Sequence, residues 1–124
     1  MMKILIIRSA SIETQRLIAG HFPADWQVEF IGQKELPNEI EDADILIPEN
    51  TSIPPALLKR AKRLKLIQTG AGYDNVPLED CTQSGIYVAN APGVNAQAVA
   101  TCICLYTLLA QKYSSIKYRY EGWG

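Results

Sequence analysis

Histidine occurs once in these 124 residues and cysteine three times, and neither sign of charge predominates: 12 basic residues against 13 acidic ones leave a net charge of −1. That balance excludes the strongly basic surface by which a whole domain binds nucleic acid. The three cysteines, Cys81, Cys102 and Cys104, are an odd number. Two of them stand two apart on a predicted helix, where they point different ways and cannot pair with each other, so reduced thiols of a cytoplasmic protein are expected. No His/Cys spacing of a metal centre is present, and no metal is expected. Long apolar runs are lacking too. The opening MMKILIIRS has one lysine and four consecutive apolar residues, short of the ~7–15 of a signal peptide core. The longest apolar stretch, Ala98 to Ala110, is interrupted by Thr101 and Thr107 and falls short of the ~20 residues that span a membrane.

What is present reads as an ordinary globular chain, 48% hydrophobic and 20% charged, long enough for one domain with its own core. Strand and helix patterns alternate along it. Lys3 to Arg8 is a β-branched run suited to a central parallel strand covered on both faces. Ser11 or Ser9 can cap a helix from Ile12 to Ala19 that Gly20 ends. Gln27 to Ile31 alternates polar and apolar, as an edge strand does. Lys34 to Asp42 is expected as loop or a helical turn. Asp44 to Ile47 is a buried strand stopped by Pro48, and Pro54 and Pro55 open a helix expected to run to about Arg63. Leu64 to Thr69 is the next strand, followed by a short helix from Leu78 to Gln83, a strand from Ile86 to Ala89, and a long helix from Asn95 to about Tyr113. Strands separated by helices imply βαβ units and a parallel sheet, here a flavodoxin-like α/β sheet of five strands with a long C-terminal helix. Residues 1–94 form the domain, and 95–124 a helix and connector.

The chemistry is expected at two loops that leave the strands. TGAG follows the fourth strand, with Gly70 and Gly72 expected to turn through φ/ψ values open to glycine and the amides of Ala71 and Gly72 free to face an anion. After the fifth strand, Pro92 forbids helix and Asn95 stands where its side chain can cap the next one while facing the same crevice. GAGYDN opens like a dinucleotide fingerprint, but it lacks the third glycine, and Asn75 and Pro77 follow in place of a helix. The basic cluster Lys59, Arg60, Lys62, Arg63 and Lys65 reads as a solvated helix end whose cations complement the macrodipole. His21, in a loop before Phe22 and Pro23, reads as a surface residue, and Cys81 has no histidine near it in sequence. A phospho-receiver would need acids where Arg8, Ser9, Pro48 and Glu49 stand. A flavodoxin would need a glycine in RSASIETQ.

The stretch LKLIQTGAGYDNVPLEDCTQSGIYVANAPGVNAQAVA resembles the N-terminal region of the D-isomer-specific 2-hydroxyacid dehydrogenases. It departs from that family's pattern at Pro77, where an acidic residue is usual, and at Thr101, where Glu is common. The resemblance implies a substrate-binding domain in which the amides at Ala71 and Gly72, with Asn95, hold the carboxylate of a small 2-hydroxy or 2-oxo acid. It also implies that NAD or NADP and the catalytic Arg, His and carboxylate belong to a second domain. The expectation is therefore the substrate-binding portion of an NAD(P)-dependent oxidoreductase, binding no cofactor, carrying no catalytic residue and inactive alone. The long apolar helix is expected to join two copies as a homodimer. A stand-alone interaction module that kept the fold without the chemistry is the alternative. Neither nucleic acid nor a membrane is an expected partner.

Overall fold

The structure, a computed structural model, describes the backbone of residues 2–120 and the side chains of residues 2–112. It divides between Ala91 and Pro92 into two compact units. The first carries five strands, β1 (Lys3–Ile7), β2 (Gln27–Ile31), β3 (Ile45–Ile47), β4 (Leu66–Gln68) and β5 (Tyr87–Ala89). They form one sheet in the order β2-β1-β3-β4-β5, with every neighbouring pair parallel. Between them run α1 (Ile12–Ala19), α2 (Leu36–Glu39) with a 3-10 turn at Ile40–Asp42, α3 (Pro55–Leu58) and α4 (Leu78–Gln83). This is the flavodoxin-like sheet expected of the alternating pattern.

Register explains the core. Leu5 pairs with Leu46, Leu46 with Ile67 and Ile67 with Val88, so one row of apolar side chains crosses the sheet on a single face. Leu36, Ile40, Leu57, Leu58, Cys81 and Ile86 close over that row. Leu5, Leu46 and Ile67 are wholly enclosed, each contributing about 1.5–3 kcal/mol by burial. The alternate row, Ile4, Ile45, Leu66 and Tyr87, lies on the other face. Its exposure rises from 0% at Ile4 to 79% at Tyr87.

At the amino ends of the strands, charge does the fastening. Asp44, 2% exposed, accepts the Lys3 main-chain N–H at 2.9 Å and meets Arg63 at 3.2 Å. Lys3 itself reaches Asp42 at 2.9 Å, Glu29 at 3.4 Å and Glu39 at 3.6 Å. Burial alone would lower the Lys3 pKa, but the bond to Asp42 and the nearby carboxylates outweigh it and raise it. The same hydrogen bond holds the Asp42 carboxyl below its ordinary value.

Three expectations about the elements are corrected. α3 stops at Leu58 rather than near Arg63. From there the chain descends in tight turns, with the amides of Arg60, Ala61 and Leu64 bonding three residues back. Five cations between Lys59 and Lys65 would crowd one another on a continuous helix, whereas the turns bury Ala61 and Leu64 and free the arginines. The cluster consequently complements acids rather than a helix dipole: Arg60 meets Glu41 at 3.0 Å, and Arg63 and Lys65 both meet Asp44. Finally, α5 (Ala96–Tyr120), in the second unit, runs past Tyr113, so residues 113–120 continue the helix instead of forming a connector. Residues 121–124 lie outside the described residues.

Within α5 the hydroxyls of Thr101 and Thr107 donate to the carbonyls of Gln97 and Ile103, each at 2.8 Å, so the polar interruptions are satisfied inside the helix. Val99, Ile103, Leu105, Tyr106, Leu108 and Leu109 are all exposed. No helix among the described residues is long and apolar enough to cross a membrane.

Candidate functional site

The carboxyl ends of β1, β3 and β4 surround two adjoining concavities. The smaller, about 190 Å³, is lined by Glu49, Asn50, Gly70, Ala71, Gly72, Asp74 and Asn75. The larger, about 520 Å³, spreads from Arg8 and Ser9 across Gly32 and Gln33 to Thr51, and shares Glu49 and Asn50 with the first.

The Gly70–Gly72 loop is held from both sides. Towards β5, the Gly70 carbonyl accepts the Ala91 N–H at 2.9 Å and the Ala71 carbonyl accepts the Asn90 side-chain amide at 2.9 Å. Thr69, 4% exposed, seals the strand end by donating its N–H and its hydroxyl to the Ala89 carbonyl. Towards β3, the Asn75 side-chain amide donates to the carbonyls of both Glu49 and Thr51, each at 2.9 Å, while the Asn75 carbonyl accepts from Ile53. The carbonyls of Gly70 and Ala71 are thus spent on neighbours of the loop. Among the described residues the main-chain amides of Ala71 and Gly72 donate to no protein acceptor. Two adjacent free amides in a concave loop can receive a carboxylate or another small anion.

Glycine serves this loop differently from the expectation. Neither Gly70 nor Gly72 has positive φ; the glycines that do are Gly85 and Gly93. Their value at the site is space: a Cβ on Gly70 would meet nothing within 4 Å, and one on Gly72 only the Asp74 carboxylate at 3.4 Å. Positive φ falls instead on Glu49, at 50°, where the Asn75 bond to its carbonyl holds the turn. Its carboxylate accepts from Arg8 at 3.2 Å.

Of the residues expected at the site, Ala71 and Gly72 share one concavity. Asn95 belongs to the second unit, directly before α5. Its carbonyl accepts the Val99 N–H at 2.9 Å, but its side chain makes no hydrogen bond among the described residues, so the expected side-chain cap is not formed. Gly93, at φ 78°, and the bond from Ala96 to the Gly93 carbonyl turn the chain into the helix with main-chain groups alone. Asn75, Asn90 and Glu49 had not been expected here. The Asn in GAGYDN and the Asn in VANAP were visible in the sequence, but their partners lie 19 to 26 residues away, beyond the reach of local pattern.

His21 is exposed between α1 and β2, which puts it at the amino ends of the strands, away from the concavities. Cys81 is 1% exposed, and burial, with Asp80 beside it, pushes its thiol pKa up, which suppresses the thiolate a nucleophile needs. No group of metal-ligating side chains occurs among the described residues. The glycine loop does not fit a dinucleotide pyrophosphate: a turn from Tyr73 to Val76 and Pro77 separate it from α4, which starts only at Leu78 and has no side-chain cap.

The fold is thus a flavodoxin-like parallel sheet that presents, at its strand ends, a glycine loop with two free main-chain amides. The chain belongs to the family described as D-isomer specific 2-hydroxyacid dehydrogenase, catalytic domain, which it matches over residues 4–113. It is 31% identical over 102 residues to a glyoxylate reductase of Thermococcus onnurineus, covering 79% of this chain and 30% of that protein. To a D-3-phosphoglycerate dehydrogenase of Methanocaldococcus jannaschii it is 37% identical over 70 residues, 55% of this chain and 13% of the relative. Among solved structures, the NAD+-bound 3-phosphoglycerate dehydrogenase of Entamoeba histolytica superposes with a TM-score of 0.74 at 30% identity, covering 86% of this chain and 38% of that one. The chain therefore spans between 13% and 38% of the length of these relatives.

Proposed function

We propose that this chain is the substrate-binding portion of an NAD(P)-dependent oxidoreductase that interconverts D-2-hydroxy acids and 2-oxo acids. In this reading the amides of Ala71 and Gly72 receive the substrate carboxylate, and Asn95 assists from the start of α5. The observation that carries it is the pair of unspent amides in a loop that Asn75 and Asn90 hold from either side. NAD or NADP, and the acid/base that hydride transfer requires, belong to a separate cofactor domain towards which residues 95–124 lead. The 124 residues alone bind no dinucleotide and turn nothing over. Two facts support this: the glycine loop runs into a turn rather than a helix, and the one histidine sits at the far end of the sheet. The compartment proposed is the cytoplasm.

Titration with pyruvate or glyoxylate, followed by main-chain amide NMR shifts, tests the carboxylate site. Gly70 to Tyr73 should move. Shifts confined to other regions would place the site elsewhere.

The exposed apolar side chains of α5 support a second part of the proposal, a homodimer formed through the helix from Asn95 to Tyr113, packed on its mate or exchanged with it. They also favour the rival reading, a stand-alone interaction module without catalytic activity. A chain that dimerises yet shows no response to 2-oxo acids would support the rival.

A further inference from the structure

We infer that Glu49 sets the charge of the acids this site accepts, admitting small monoanions and turning away 2-oxo acids that carry a second anionic group. The inference rests on the reading of Ala71 and Gly72 as the carboxylate site.

Glu49 stands on the wall common to both concavities. An acid whose carboxylate occupies the smaller one and whose remaining atoms reach into the larger one passes the wall that Glu49 and Asn50 form. Two carboxylates and one guanidinium, that of Arg8, line the combined space, leaving one uncompensated negative charge. Arg8 is already committed, 3.2 Å from Glu49. Nor can Glu49 easily swing aside at its main chain, since its carbonyl is tied to Asn75 at 2.9 Å. A single carboxylate is served by the two main-chain amides. A phosphate or second carboxylate meets a lining whose one cation is already paired with Glu49 and whose excess charge is negative, and is repelled by it.

The test uses the full chain and two probes, glyoxylate and 3-phosphonooxy-2-oxopropanoate, each titrated against the Ala71 and Gly72 amide signals. The wild-type chain should bind the phosphate-bearing acid about tenfold or more weakly than glyoxylate. Glu49→Gln removes one negative charge and releases Arg8, so the ratio of the two affinities should shift by about tenfold towards the phosphate-bearing acid. Glu49→Asn, a residue that tolerates positive φ, should shift it the same way and guards against a folding defect in the first variant. Inorganic phosphate separates recognition of the whole acid from attraction to the released Arg8: it should bind either variant more weakly than the phosphate-bearing acid does. Equal binding of both acids by the wild type, or a ratio unmoved in both variants, would overturn the inference and leave the carboxylate site standing. Silence of Ala71 and Gly72 towards glyoxylate would remove the site itself, and this inference with it.

Discussion

The residues that decide this site are mostly asparagines, and their effect is to free other groups. Asn75 makes two bonds from one side-chain amide, to Glu49 and Thr51. Replacing Asn75 with Ala strands two carbonyls, and an expected loss of about 1–3 kcal/mol should appear in urea unfolding together with weaker glyoxylate binding. Gly72 makes the opposite kind of contribution. Its φ is not positive and only the Asp74 carboxylate approaches the place of a Cβ, so Gly72→Val should remain folded and lose its response to 2-oxo acids. At the other end of the strands the Asp42 carboxyl is held below the ordinary aspartate range, chiefly by its hydrogen bond to Lys3. A carboxylate with a lowered folded pKa adds stability above the unfolded value and loses it as pH falls through the folded one. The Lys3 ammonium is shifted the other way, above the ordinary lysine range, so its contribution is complete below the unfolded value and is lost as pH rises through the folded one. Stability measured against pH should therefore fall below about pH 4, and Asp42→Asn should flatten that decline.

At the scale of elements, the sequence was most informative where a local signal is enough. Ser11 accepts the Thr14 N–H at 3.2 Å and opens α1 where expected, and α4 occupies the span expected of it. The alternation in Gln27–Ile31 marked an edge strand, and β2 is one. What failed was set by distant partners. α3 ends early because Arg60 and Arg63 answer to Glu41 and Asp44, and Glu49 takes the left-handed turn because Asn75 holds its carbonyl. Asp44 was legible as the start of a buried strand, but not as the carboxylate that clasps Lys3 and Arg63. The apolar girth of α5 was plain from its composition. If it joins two copies, light scattering with size exclusion should report a dimer at micromolar concentration, and Leu105→Glu with Leu109→Glu should give a folded monomer. A wild-type chain that stays monomeric at high micromolar concentration would contradict the dimer.

For the whole molecule, the division of labour is the main point. The sheet row Leu5, Leu46, Ile67 and Val88 makes a platform, and the strand ends above it carry the glycine loop with its two unspent amides, flanked by Glu49 and Asp74. Ile67→Ala, at a wholly buried position, should cost about 2–5 kcal/mol without altering which acids are preferred. The central claim concerns where a carboxylate sits. It is tested most directly by a crystal structure of the chain soaked with glyoxylate at high concentration. The expected result is a carboxylate oxygen about 2.7–3.2 Å from the main-chain nitrogens of Ala71 and Gly72; a ligand found only elsewhere on the chain, or none on the loop, would contradict it.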